Sequence, residues 1–384
     1  MKLVYLFGLF FISLNSYSQA LIPNPPQLSA TSYLLLDAKT LKVISEENSN
    51  QSTGLASITK IMTAYVVADQ INKGFLRNDS LVEISEKCWR TEGSRMFVKE
   101  GTEVTVENLM LGVIVQSGND ASCALAEHIA GSEYDFSILM NEYAEEMQLE
   151  ETNFMNPTGL PDVNHYSTAK DIAKLSIRLV EDYPETYKIF SQKEFTYNDI
   201  RQLNRNSLLW QDDSIDGIKT GHTTSSGYCM VSSAKRGDMR LIAVTLNSAS
   251  EKARLRDSRR LLDYGFRYYS TKKILSKYET ISSVDVWAGS EDILNLGPSE
   301  DVFLTLTKPE FNSLELIVSK NLGVKAPIQK GDVLDSLDFV IDNKTLTSID
   351  LVAVKKIDSK GFLSSTFEAI GFYIYSFFMQ DEVN

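Results

Sequence analysis

The apolar positions of this chain change period as it proceeds. Residues 33–37 and 42–45 are short β-forming runs flanking Ala38-Lys39-Thr40, which predicts a strand pair closed by a turn. From Ile58 the apolar residues fall on Ile61, Met62, Tyr65, Val66, Ala68 and Ile71, the spacing of a buried helix face. Helical spacing then occupies much of 57–182, including 109–115 and 121–130. Residues 227–234 and 239–246 are again rich in β-formers, and the short Arg236-Gly237-Asp238 link predicts a hairpin. Residues 251–264 return to the helical period. Strands at both ends with helices between predict an α/β unit, one antiparallel sheet with helices on both faces. The pattern shifts at 269–277. From 281 to 354 short alternating runs, such as 301–307 and 314–319, predict a small all-β sandwich.

The two ends read differently. Lys2, an apolar run at 3–14 and small residues at Ser16, Ser18 and Ala20 predict a secretion signal cleaved after Ser18 or Ala20. That run is shorter than the roughly 20 residues a spanning helix needs. At the other end Phe362, Leu363, Phe367, Ile370, Tyr373, Ile374, Phe377 and Phe378 recur at near-helical spacing, interrupted by Ser364, Ser365, Thr366, Glu368 and Ser376. This predicts an amphipathic helix lying on a membrane surface. A helix packed on the β-rich part, or a homodimer contact, is the competing use. No Lys or Arg lies inside this helix, although Lys355, Lys356 and Lys360 precede it. The expected organisation is a signal at 1–20, an α/β unit at 21–268, a β-sandwich at 269–358 and the tail at 359–384.

Composition narrows the function. The chain has 384 residues, of which 43% are hydrophobic and 23% charged, enough for two packed cores. A formal charge of −13 gives no footprint for nucleic acid. Cys88, Cys123 and Cys229 are an odd number, which argues against a disulfide framework and leaves at least one thiol free unless it pairs between chains. His128, His165 and His222 lack metal-ligand spacing, so neither a metal nor another cofactor is expected.

Three short motifs carry the chemistry: Ser57-Ile58-Thr59-Lys60, Ser117-Gly118-Asn119 and Lys219-Thr220-Gly221. Ser-x-x-Lys alone is weak, since it recurs at Ser232/Lys235 and Ser270/Lys273. Together the three supply parts of one mechanism. A serine hydroxyl needs a neighbouring base to become a nucleophile. Three residues apart on a helix, the Lys60 amine reaches the Ser57 hydroxyl, and burial would lower its pKa. Ser117-Gly118-Asn119 falls on a tight turn between helices, with Gly118 expected to take the unusual backbone angles and Asp120 available as a helix cap. The Ser117 hydroxyl suits proton relay to a leaving amine, and the Asn119 amide suits binding a substrate backbone. Lys219 and Thr220 at a strand edge suit a carboxylate. Gly221 allows close approach, and the amides of Ser57 and His222 can form an oxyanion hole.

With Ala56–Thr63, Gln116–Ala121, Arg201–Asn206 and Asp216–Thr223, these motifs resemble signatures of the low-molecular-mass penicillin-binding proteins, fifth and sixth type. Those proteins are serine-type D-alanyl-D-alanine carboxypeptidases. The resemblance spans nearly the whole chain from about residue 21. It implies the transpeptidase/β-lactamase fold, peptidoglycan pentapeptides as substrate, β-lactams as inhibitors and a periplasmic protein peripherally attached to the inner membrane. It implies Ser57 as nucleophile, Lys60 as its base, and Ser117 and Asn119 as the second catalytic element. Lys219, Thr220, Gly221, His222 and Arg254 then hold the substrate, with Arg205 behind them. The chain departs from the enterobacterial pattern in placing a thiol at Cys123, one position later. A class A β-lactamase would use a glutamate to activate the deacylating water, and residues 150–166 lack one four positions before an asparagine. A non-catalytic wall scaffold is disfavoured by the intact Ser57/Lys60 pair.

Overall fold

A computed structural model of the protein describes residues 22–319 and 323–360. The expected signal at 1–20 and residues 361–384 of the tail lie outside the described residues. Among the described residues no helix is long and apolar enough to cross a membrane.

The central sheet has five strands: β1 (Ser32–Asp37), β2 (Val43–Glu47), β3 (Ile215–Thr223), β4 (Gly227–Arg236) and β5 (Met239–Ser248). Their order is β2-β1-β5-β4-β3, every pair antiparallel. The expected hairpin is present with a tighter turn. Arg236 pairs with Met239, leaving Gly237-Asp238 to connect the strands, and Gly237 takes φ 59°.

Both faces of the sheet are covered, because successive side chains of a strand point to opposite sides. Leu34 and Leu36 of β1 and Ile242, Val244 and Leu246 of β5 join the larger core. It is shared with helices α1 (Lys60–Asn72), α2 (Glu86–Arg90), α3 (Asn119–Ala130), α4 (Glu133–Glu146) and α5 (Ala169–Asp182). Leu35 of β1 and Leu241 and Ala243 of β5 face the other way, onto Leu261, Leu262 and Tyr264 of α6 (Glu251–Tyr268). The α/β reading from the strand and helix periods therefore holds. The segment before β1 is pinned to α6, where the buried Asp257 carboxylate accepts Ser29 N–H at 2.9 Å and Ser29 Oγ–H at 2.6 Å.

The three cysteines pair differently from expectation. Cys88 of α2 and Cys123 of α3 form a disulfide, and Cys229 is buried and free. Parity required one unpaired thiol but said nothing about the other two, and it is the packing of α2 on α3 that brings them together.

The C-terminal part is β-rich, as the alternating runs predicted. A six-stranded sheet and the antiparallel pair Tyr269–Leu275/Val302–Thr307 share one apolar core, which includes Leu275, Leu304 and Leu306 from the pair and Leu294, Leu337 and Phe339 from the sheet. A five-residue helical turn, Lys308–Asn312, interrupts the strands. Hydroxyls and a buried carboxylate tie this part to the β1–β2 turn. Thr271 Oγ1 donates to Asp37 Oδ2 at 2.9 Å, and Thr40 Oγ1 lies 2.6 Å from Thr305 Oγ1.

Candidate active site

Ser57 and Lys60 are brought together as the spacing required, by a slightly different element. Residues Ala56–Thr59 form a 3-10 turn, and α1 begins at Lys60. In 3-10 geometry side chains three apart eclipse one another, so Lys60 stacks directly over Ser57. Lys60 Nζ lies 3.1 Å from Ser57 Oγ, 2.7 Å from Asn119 Oδ1 and 2.6 Å from the Thr158 carbonyl oxygen. The side chain is fully buried, and desolvation lowers its pKa to about 7, with Asp120 acting in the opposite sense.

The second motif turns between helices as expected, but the strain sits on another residue. Ser117 takes the left-handed conformation, φ 66°, while Gly118 is extended at φ −62°. Glycine is required at 118 for room instead. A β-carbon there would stand 2.8 Å from Asp120 Oδ1, 3.2 Å from Met96 N and 3.3 Å from Gly112 O. Ser117 Oγ is buried with no hydrogen-bond partner among the described residues. The Asn119 amide is engaged at both ends, its Oδ1 with Lys60 and its Nδ2 donating to Glu92 O at 2.6 Å. It thereby orients Lys60, and of the two Nδ2 N–H groups one is given to Glu92 O, leaving the other for a ligand.

Asp120 does more than the helix cap that its position suggested. Its carboxylate accepts the backbone N–H groups of Met96 at 3.0 Å, Phe97 at 2.9 Å and Val98 at 3.3 Å, fixing the 92–98 segment beside the second motif. Gln202 adds to this hold, donating to Met96 O at 3.0 Å.

The third motif lies within β3, at the edge of the sheet. Gly221 sits against the Ser57 turn, where a β-carbon would stand 2.9 Å from Leu55 O and 3.0 Å from Ser57 N. Lys219 is fully buried, and Thr220 is buried beside it. Lys219 Nζ donates to Thr220 O at 3.3 Å. Burial, then the positive charges of Lys60, Arg254 and Arg205, pushes the Lys219 amine well below its usual pKa. A site arranged this way is short of negative charge. His222 is exposed, and its ring stacks on Tyr228 with centroids 4.0 Å apart. Arg254 projects from α6 and donates to Gly221 O at 3.0 Å and to Glu251 Oε1 at 3.2 Å, while its Nε has no partner among the described residues.

The Arg201–Asn206 run alternates. Gln202, Asn204 and Asn206 are buried, and Asn206 Nδ2 donates to Gly217 O at 3.0 Å, steadying β3. Arg205 between them is exposed.

Sequence reasoning missed the loop at 156–165, in which it sought only a glutamate. Asn156 Oδ1 gathers the N–H groups of Thr158 at 3.2 Å, Gly159 at 2.8 Å and Leu160 at 3.2 Å. The loop thereby presents Thr158 O to Lys60 and Pro157 O to Thr63 Oγ1 at 2.7 Å. An Asn-x-Thr-Gly turn was the available signal.

A sheet covered on both faces, with a serine and a desolvated lysine at its edge strand, defines the class: serine hydrolases built on the transpeptidase fold. The chain belongs to the D-alanyl-D-alanine carboxypeptidase family, whose model matches residues 19–250, and the model of the penicillin-binding protein 5 C-terminal domain matches residues 269–359. D-alanyl-D-alanine carboxypeptidase DacA of Escherichia coli (strain K12) is 38% identical over 368 residues, 94% of this chain and 91% of that protein. DacA of Haemophilus influenzae is 39% identical over 346 residues, 88% of each. The solved structure of penicillin binding protein 5 from Haemophilus influenzae superposes with a TM-score of 0.83 at 38% identity, covering 88% of this chain and 100% of that one.

Proposed function

We propose that the protein hydrolyses the terminal D-alanyl-D-alanine bond of peptidoglycan pentapeptides through an acyl-enzyme on Ser57, and that penicillins acylate the same hydroxyl. The hydrogen bonding of Lys60 carries this reading. A neutral amine has two N–H groups and one lone pair. Thr158 O and Asn119 Oδ1 can only accept, so they take both N–H groups, and the lone pair is left for the Ser57 hydroxyl proton. Ser57 Oγ attacks the scissile carbonyl, and the amides of Ser57 and His222 hold the oxyanion. The unpartnered Ser117 hydroxyl passes the proton to the leaving amine. D-alanine departs, and water hydrolyses the ester to restore Ser57.

The electropositive end of the site receives the carboxylate of the leaving residue. Lys219, Thr220 and Arg254 meet it, and Arg205 adds charge from outside. The loop that offers the Thr158 carbonyl to Lys60 has, within 150–166, no glutamate four positions before an asparagine, which supports peptide hydrolysis over β-lactamase action. On this reading residues 1–20 direct secretion, the protein works in the periplasm, and residues 359–384 lie on the inner membrane. The charge of −13 supports no nucleic-acid partner.

The test is release of D-alanine from a pentapeptide, with labelling by a fluorescent penicillin. Both are expected in the native protein and absent from a folded Ser57→Ala variant. Labelling that persists in Ser57→Ala shows that another residue is the nucleophile.

A further inference from the structure

We infer that His165, a residue outside the three motifs, is a positioning residue that aims the oxyanion-binding amide of Ser57 by acting through Thr59. The inference rests on the proposed role of Ser57. The amide in question belongs to the peptide plane between Ala56 and Ser57. That plane is rigid, so fixing where its carbonyl points fixes where its N–H points. Ala56 takes φ 49°, a conformation that residues other than glycine avoid, so something must hold it there.

The hold is a chain of hydrogen bonds whose direction is determined at every step. Thr59 Oγ1 donates to Ala56 O at 2.9 Å. A hydroxyl has one proton, so toward His165 Nε2, at 2.7 Å, Thr59 Oγ1 can only accept. His165 therefore carries its proton on Nε2. Its other nitrogen agrees, since Nδ1 accepts the Met155 N–H at 3.1 Å and must be bare. The ring is buried and held edge-on by Phe154, with centroids 5.8 Å apart. Burial lowers the His165 pKa to about 4, so the neutral ring this chain requires persists near neutral pH. Gly159 closes the other side of the same carbonyl, because any β-carbon there would overlap Ala56 O.

The same geometry rules out a more familiar role. With Nε2 protonated and Nδ1 occupied, His165 has no lone pair to offer as a general base. It meets Thr59 and Met155, and its influence on the reacting atoms passes through the backbone.

The experiment uses the full chain with four variants: His165→Phe and Thr59→Val, which break the chain, and His165→Gln and Thr59→Ser, which keep a donor and a hydroxyl. The readouts are the rate of acylation by a penicillin, kcat and KM for a peptide substrate, and the mass of the labelled peptide. His165→Phe and Thr59→Val are expected to lower acylation and kcat by roughly tenfold or more with little change in KM, as for partial loss of an oxyanion donor. Thr59→Ser and His165→Gln recover most of the rate, and the double variant Thr59→Val/His165→Phe falls no further than the worse single one. Unchanged acylation in His165→Phe overturns the proposal, as do losses confined to KM or losses that multiply in the double variant. Should His165→Phe fail to fold, Thr59→Val and its rescue by Thr59→Ser decide alone. Label found on a residue other than Ser57 refutes the nucleophile, a failure distinct from that of His165.

Discussion

The Lys60 amine and the Ser57 hydroxyl face each other at 3.1 Å across the junction of a 3-10 turn and a helix, with the lysine fully buried. Desolvation places the amine's pKa near the working pH, at about 7. The neutral form is the base, and it grows as pH rises. The expected kcat/KM for peptide therefore climbs about tenfold per pH unit below 7 and levels above it. Lys60→Arg keeps a proton at all these values and should lose about 10²–10⁴-fold in acylation. A flat profile from pH 5.5 to 8 would show that Lys60 is not the group titrating.

Arg254 places one donor on Gly221 O and leaves its Nε unpartnered beside a cluster of positive charge. Hydrogen bonds to charged groups contribute about 1.5–3 kcal/mol, so Arg254→Ala should slow peptide turnover roughly 10–100-fold. Cys229→Ser, a change to the free thiol, is expected to do far less. A peptide with an amidated terminus should be a poor substrate for the native protein. Equal turnover of acid and amide would remove the carboxylate clamp.

The Cys88–Cys123 disulfide joins residues 35 apart and staples α2 to the helix that opens with Asn119. Closing a loop of that length restrains the unfolded chain by roughly 3–4 kcal/mol. The paired substitution Cys88→Ala/Cys123→Ala should lower the melting temperature by about 5–15 °C, at a few degrees per kcal/mol. Alkylation of the denatured, unreduced protein should modify Cys229 alone. Modification of all three cysteines would show that the bridge is absent.

For the tail, vesicle co-sedimentation at low and high salt separates the two readings. Fully burying one large apolar side chain gains roughly 1.5–3 kcal/mol, and residues 361–384 carry many. The full chain should pellet with vesicles at both salt concentrations, and a chain lacking 361–384 should stay in the supernatant with its peptide activity intact. If both remain in the supernatant at low salt, the tail is a packing or dimer element.

Much of this was legible because it is local. Runs rich in β-formers beside short turns located β1, β4 and β5, and an i, i+3 pair located Ser57 and Lys60. The motifs named the site because each packs its chemistry into three or four residues. What stayed hidden depends on distant partners. Asp120 looked like a helix cap, since nothing nearby announces that its carboxylate holds amides 22–24 residues earlier. His165 looked like a histidine without metal spacing, and its meaning lies in Thr59, 106 residues away. The left-handed residue was assigned to Gly118, the permissive one, whereas Ser117 takes it and Gly118 supplies space.

The third motif occupies the outermost strand of the central sheet, and that has a consequence for solubility. An edge strand carries backbone groups able to pair with another chain, a common route to aggregation. In this protein the turn that bears Ser57 packs on one face of that strand at Gly221, in the direction a β-carbon would point. That contact sets the catalytic geometry across the face of the sheet, while pairing with another chain would use the in-plane groups of the edge. A substitution that loosens the turn is therefore expected to disable the chemistry while leaving the edge groups of the strand as they were, so loss of activity and a tendency to aggregate are separable in this sheet.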